Sequence, residues 1–136
     1  PLRTGYCHEL AVRLLAGCLA VVAAKHDIGV KIVFCHSTDH YIRVYAIAEY
    51  GAKKANRSLK NMGYIMHCFK CFHRELVENF FGFDVSVECR ECGAKMDFAG
   101  PLWIGKIFDK EFCKLMKKEL RQQRFKLKKR IEKLLY

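Results

Sequence analysis

Apolar and polar positions alternate differently along the chain, and each pattern predicts a different element. From His8 to Lys25 the apolar residues, among them Leu10, Val12, Leu14, Leu15, Leu19, Val21 and Val22, fall on nearly every side of a helical wheel. A helix apolar all round is packed on more than one face. Gly29 is placed to stop it. Val30 to Cys35 and Tyr41 to Ala48 are β-branched and aromatic runs that predict two strands. His36, Ser37, Thr38, Asp39 and His40 between them suit a short loop, so an antiparallel hairpin is expected. A helix and a hairpin alone make no stable domain. Their missing partner is expected upstream of Pro1, where the sequence opens without an initiator Met.

The second half carries weaker periodicity. Ala52 to Met62 has helical composition, with Gly63 expected to end it. Short apolar strands lead into and out of two cysteine pairs. Gly100-Pro101-Leu102-Trp103-Ile104-Gly105 reads as a turn plugged by the only Trp. From Asp109 onward there is no Gly or Pro, and Phe112, Leu115, Met116, Leu120, Leu127, Ile131 and Leu134 recur at three- and four-residue steps. That predicts one basic amphipathic helix over 109–136, whose stripe docks on the protein, a partner helix or a membrane surface.

Composition narrows the class. With 136 residues, 51% hydrophobic and 29% charged, the chain is globular and makes one compact domain or two very small ones. The apolar run Leu14–Ala24 is shorter than the roughly 20 residues of a membrane span. It ends in Lys25-His26-Asp27, without a signal-peptide cleavage pattern. The expectation is a buried helix in a cytoplasmic protein that makes no use of a membrane.

Charge changes the picture more. The net charge is +11, distributed as +5 over residues 1–67, −2 over 68–113 and +8 over 114–136. Such a tail favours a polyanion. Lys117, Lys118, Arg121, Arg124, Lys128 and Lys129 are candidate RNA-backbone contacts. Aromatics suited to base stacking are sparse there (Phe125 and Tyr136), so phosphate contact is expected over sequence reading.

Cys68-Phe69-Lys70-Cys71 and Cys89-Arg90-Glu91-Cys92 form the most specific pattern. Two C-x2-C pairs 17 residues apart match a zinc ribbon. One tight turn aims two thiolates at a single ion, and two such knuckles complete a tetrahedron. Four cysteines close the coordination shell, so the zinc is structural rather than catalytic. Gly93 stands where a knuckle needs a positive φ. His67 and His73 flank the first pair and are chemically able to replace a ligand, but four Cys suffice. Cys7, Cys18, Cys35 and Cys113 lie in apolar contexts and are expected in the core.

Other chemistry is thin. There is no phosphate-binding glycine loop, no nucleophile elbow and no Gly-rich turn for a cofactor's adenosine. Asp39-His40-Tyr41 is the best acid–base-like cluster, although a lone His beside an Asp at a strand entrance is more often a structural pair.

Taken in order, Gly5-Tyr6-Cys7-His8-Glu9, Asp39-His40-Tyr41-Ile42-Arg43-Val44-Tyr45, the two cysteine pairs and Gly100-Pro101-Leu102-Trp103-Ile104-Gly105-Lys106-Ile107 resemble the C-terminal part of the archaeal and eukaryotic tRNA guanine-N2 dimethyltransferases. The resemblance covers about residues 5–113. It implies an α+β architecture: residues 1–50 as the closing helix and antiparallel hairpin of a class I methyltransferase fold, and 51–136 as a small tRNA-binding domain. That domain would hold a zinc-ribbon-like site over 68–92 and the basic helix over 109–136. It implies methylation of guanine 26 with S-adenosylmethionine in the complete enzyme. The cofactor half and the catalytic Asp-Pro-Phe-type motif are not in this sequence, so this chain alone is expected neither to bind that cofactor nor to react. The implied partners are tRNA and the missing catalytic half, with the protein a monomer. Cys68, Cys71, Cys89 and Cys92 carry over as metal ligands. His8, Glu9, Asp39, His40, Tyr41 and Arg43 match family positions bordering the RNA cleft. The competing readings are a stand-alone zinc-ribbon RNA-binding or ribosome-associated protein without enzymatic activity, and a membrane-surface module.

Overall fold

A computed structural model describes residues 4–78 and 87–135. The elements run α1 (Cys7–Ala24), β1 (Ile28–Thr38), β2 (Tyr41–Tyr50), α2 (Ala52–Leu59), β3 (Met62–His67), β4 (Arg74–Val77), β5 (Asp97–Trp103), α3 (Lys110–Gln122) and α4 (Lys128–Leu134). β1 and β2 form an antiparallel hairpin, and β4-β3-β5 a second antiparallel sheet. The stretch between the cysteine pairs falls partly outside the described residues, as does Tyr136.

The strands are longer than their apolar runs. β1 continues through His36, Ser37 and Thr38, and only Asp39 and His40 turn the chain. Asp39 takes φ +55, a left-handed conformation that Asp tolerates. The hairpin contains an irregularity: Ile32 pairs with Ala46 but Phe34 with Tyr45, leaving Val33 as the extra residue of a bulge. This residue changes which face of the hairpin the later side chains occupy.

Residues on both sides of position 50 share a core. Ala16 and Ala20 of α1, Val30 and Ile32 of β1 and Trp103 of β5 pack in one buried cluster. Arg13 of α1 donates to the carbonyls of Trp103 (3.0 Å) and Gly105 (3.1 Å). Ser58 of α2 accepts from the Val30 N–H at 2.7 Å. Trp103 is indeed a plug, 3% exposed, with its indole N–H on the Lys106 carbonyl. It ends strand β5 rather than sitting in a turn.

Several expectations need correction. Gly29 and Gly63 stop no helix; both lie in strands at close approaches. A Cβ on Gly29 would meet the Lys54 backbone at 2.5 Å, and one on Gly63 the Val77 carbonyl at 2.5 Å. Among the described residues α1 packs through Leu10, Val12, Ala16, Gly17 and Ala20, whereas Leu14, Leu15, Leu19, Val21 and Val22 are each more than a third exposed. By length and composition α1 meets the requirement of a membrane span, with 18 residues at mean hydropathy 1.7. Cys7 and Cys18 are exposed and Cys35 and Cys113 half-buried, so none of these four is a core residue.

The tail is not one helix. Asp109 caps α3, its carboxylate accepting from the N–H groups of Glu111 (3.0 Å) and Phe112 (3.1 Å). α3 ends at Gln122, Gln123 is extended, and α4 begins five residues further on. The bend lets α4 reach the hairpin tip, where Arg130 pairs with Asp39.

Candidate metal centre and nucleic-acid interface

The four cysteines of the two pairs converge. Their sulfurs all lie within 4.8 Å of one another. Cys68 Sγ and Cys92 Sγ are 3.5 Å apart, as are Cys71 Sγ and Cys89 Sγ. A tetrahedral zinc with sulfurs about 2.3 Å away has sulfur–sulfur edges of about 3.8 Å, so the donor set fits that ion.

The two knuckles repeat one backbone design. The N–H of Cys68 donates to the His73 carbonyl (2.9 Å), and that of Cys89 to the Ala94 carbonyl (2.7 Å). The N–H of Phe72 returns to Cys68 O (2.9 Å), and that of Gly93 to Cys89 O (2.8 Å). Both returning residues are left-handed, Phe72 at φ +63 and Gly93 at +68. Gly93 was legible as such; Phe72 was not, because a bulky residue gives no sign of that conformation.

Electrostatics show what the cluster lacks without a cation. The Cys71 backbone N–H, outweighing desolvation, draws the Cys68 thiol down to about 6. The His73 N–H does the same for Cys71, yet desolvation and hydrogen bonding with the Cys89, Cys92 and Cys68 sulfurs push it up to about 12. Four thiolates cannot share this space uncompensated, and a divalent cation would supply the compensation. His67 and His73 stay out of the cluster. His67 is buried against the Phe69 ring (4.6 Å). His73 Nε2 lies 3.0 Å from Glu75, which also pairs with Arg90 of the second knuckle.

The candidate cleft residues divide between the two faces of the hairpin. His8 shares a hydrogen bond with Ser37 (3.1 Å) on the α1 side, and Glu9 pairs with Arg13. Tyr41 and Arg43 stand on the opposite face, beside α4, with the Arg43 guanidinium 4.8 Å from the Tyr41 ring centre. Asp39 pairs with Arg130 rather than His40. Among the tail residues, Lys117, Lys118 and Arg121 line one shallow depression on α3. Arg124 lies exposed in the bend, Lys129 is exposed on α4, and Lys128 reaches back to the Arg121 carbonyl (3.4 Å).

The family model described as "TRM: N2,N2-dimethylguanosine tRNA methyltransferase" matches residues 1–136. The chain belongs to this family. Among dimethyltransferase relatives, the tRNA (guanine(26)-N(2))-dimethyltransferase of Methanosphaera stadtmanae is 47% identical over 114 residues, 82% of this chain and 28% of that protein. The Methanobrevibacter smithii enzyme of the same name is 38% identical over 99% of this chain and 34% of its own length. That of Aquifex aeolicus, a tRNA (guanine(26)-N(2)/guanine(27)-N(2))-dimethyltransferase, is 35% identical over the same shares. Trm1 from Pyrococcus horikoshii, solved with S-adenosyl-L-methionine, superposes with a TM-score of 0.83 at 32% identity, over 99% of this chain and 33% of its own. The mixed helical and antiparallel architecture is therefore that of the corresponding part of Trm1. The chain spans about a third of the dimethyltransferases it matches.

Proposed function

We propose that this chain is the tRNA-gripping third of an S-adenosylmethionine-dependent tRNA guanine-N2 dimethyltransferase, acting at guanine 26. The observation that carries it is the match of nearly the whole chain, in sequence and in fold, to one third of such enzymes. A stand-alone RNA-binding protein is not favoured by that match.

In this reading residues 1–50 end the catalytic domain and 51–136 form the tRNA-binding domain. Two surfaces support a preceding catalytic half: the hairpin is only two-stranded among the described residues, and α1 presents Leu14, Leu15 and Val22 outward. Zinc held by Cys68, Cys71, Cys89 and Cys92 staples the β3–β5 lobe. Lys117, Lys118, Arg121, Arg124, Lys128 and Lys129 contact phosphates, steering the RNA through long-range attraction.

The described residues do not fit S-adenosylmethionine. β1 passes to β2 through Asp39 and His40, and no described strand opens into a Gly-rich turn able to hold an adenosine. The methyl donor is assigned to the catalytic half, which leaves binding and positioning of tRNA to this chain.

The test joins this chain to the catalytic portion of a relative and measures methyl transfer to unmodified tRNA. Dimethylguanosine at position 26 is expected from the joined protein and none from either part. Transfer elsewhere, or cofactor binding by this chain alone, would overturn the proposal.

A further inference from the structure

Three cross-strand pairs occupy the hairpin face turned away from α1: Phe34 opposite Tyr45, His36 opposite Arg43, and Thr38 opposite Tyr41. The bulge at Val33 puts them there. Before it, Ile32 and Ala46 face the core with Ala16 and Ala20; after it, the β1 side chains at the same alternation point the other way. On this second face the His36 ring lies 5.9 Å from Tyr41 and stacks on Tyr45 at 6.2 Å. A 2.8 Å hydrogen bond between Nδ1 and the Thr38 hydroxyl fixes its orientation. Tyr41 and Tyr45 remain 45% and 40% exposed.

The tail helices cover this face only in part: Phe34 is buried, whereas Tyr41 and Tyr45 stay open. Met116 of α3 and Ile131 of α4 stand across from it as the far wall of a groove of ≈ 350 Å³, with Arg130 at the rim. One wall offers flat aromatic surfaces and a guanidinium, the other an apolar support. Planar rings combined with a fixed cation match a ligand that is itself planar and anionic. Unstacked bases are recognised by stacking on aromatic side chains and on Arg planes. Burial, and then Arg43, hold the His36 imidazole below its ordinary range, which favours its neutral, stacking form near pH 7.

We propose that the groove between the hairpin and α4 binds one unstacked nucleotide of the RNA, its base against Tyr41 and Tyr45 and its phosphate against Arg43. The ligand class rests on the tRNA-gripping reading; the position does not, since the basic residues of α3 bind phosphate whatever the base.

The experiment compares a short single-stranded RNA with an abasic ribose-phosphate strand of equal length, using the zinc-loaded chain and fluorescence anisotropy. The base-containing strand should bind more tightly, by about 5- to 150-fold for one stacked base. Tyr41→Ala with Tyr45→Ala should erase that preference while abasic binding, carried by the basic residues of α3, persists, whereas Tyr41→Phe should retain the preference. Metal content and circular dichroism confirm that each variant is folded. Equal affinity of the unaltered chain for both strands would overturn the proposal. So would a preference that survives in the folded double variant, or a loss of both strands alike, which would mark the face as support for α4. Base preference without binding of folded tRNA would sink the tRNA-gripping reading and leave this groove standing. Salt-sensitive tRNA binding without base preference would do the reverse.

Discussion

The cysteine lobe and the hairpin groove solve the problem of a small core in different ways. In the lobe, Met66, Cys68, Cys89 and Met96 form a cluster in which two of the four members are candidate ligands, so packing and coordination are the same contacts. The hairpin side is held by shared apolar packing under Trp103 and by surface pairs such as Arg130–Asp39. The lobe should therefore open abruptly when its ion is removed, and the groove should yield gradually to changes of charge and pH. Rigidity belongs where the fold is fixed, and adjustable contacts belong in the groove proposed to meet RNA.

The sharpest way to break this contrast is Cys89→Ser. Structural zinc contributes about 10–16 kcal/mol of apparent binding energy in small zinc domains, so loss of one ligand should release the metal and unfold the lobe. Unchanged metal content and melting would remove the staple. Next comes Trp103→Ala, which should cost about 3–5 kcal/mol by emptying the shared core. Urea unfolding followed by circular dichroism should show one transition, shifted as a whole. Two separate transitions would show that the regions on either side of residue 50 do not share that core.

Smaller effects probe the groove side. Replacing Lys118, Arg121, Arg124 and Lys129 with Gln should reduce the salt slope of RNA binding by about 3 to 4, at about 0.7–0.9 per phosphate contact. An unaltered slope would turn the tail away from RNA. The pH dependence has a definite sign. His36 is held below its ordinary pKa by burial and by Arg43, so the unfolded chain protonates first. Stability is full above about pH 6.5 and falls as the pH drops through that value toward the lower folded pKa. His67 is lowered as well, through burial and Arg74, so His36→Gln should flatten this loss without abolishing it. A loss as steep in His36→Gln as in the unaltered chain would place the titration elsewhere. Smallest of all, Asp39→Asn breaks an exposed pair with Arg130 and should change stability by about 0–1 kcal/mol in denaturant titration.

The same contrast governs what could be read beforehand. The cysteine cluster was legible because a coordination site would fix its spacing: Cys-x2-Cys twice, with Gly93 where the backbone turns left-handed. The hairpin and α1 were legible from apolar periodicity, but their faces were not. One inserted residue, Val33, reverses the side on which Phe34 and His36 stand while leaving the alternating pattern intact to the eye. The break after Gln122 was hidden similarly, since Leu120, Leu127, Ile131 and Leu134 keep helical spacing across it. The outward face of α1 looks like core composition because periodicity records apolarity and not what covers it.

The measurement that bears most directly on the chain as a tRNA-gripping third is binding of folded tRNA by the zinc-loaded protein across a salt series, with anionic liposomes as the competing polyanion. Binding that weakens steeply with salt and prefers folded tRNA to liposomes is expected. Absent binding, or a preference for the liposome surface, would contradict it.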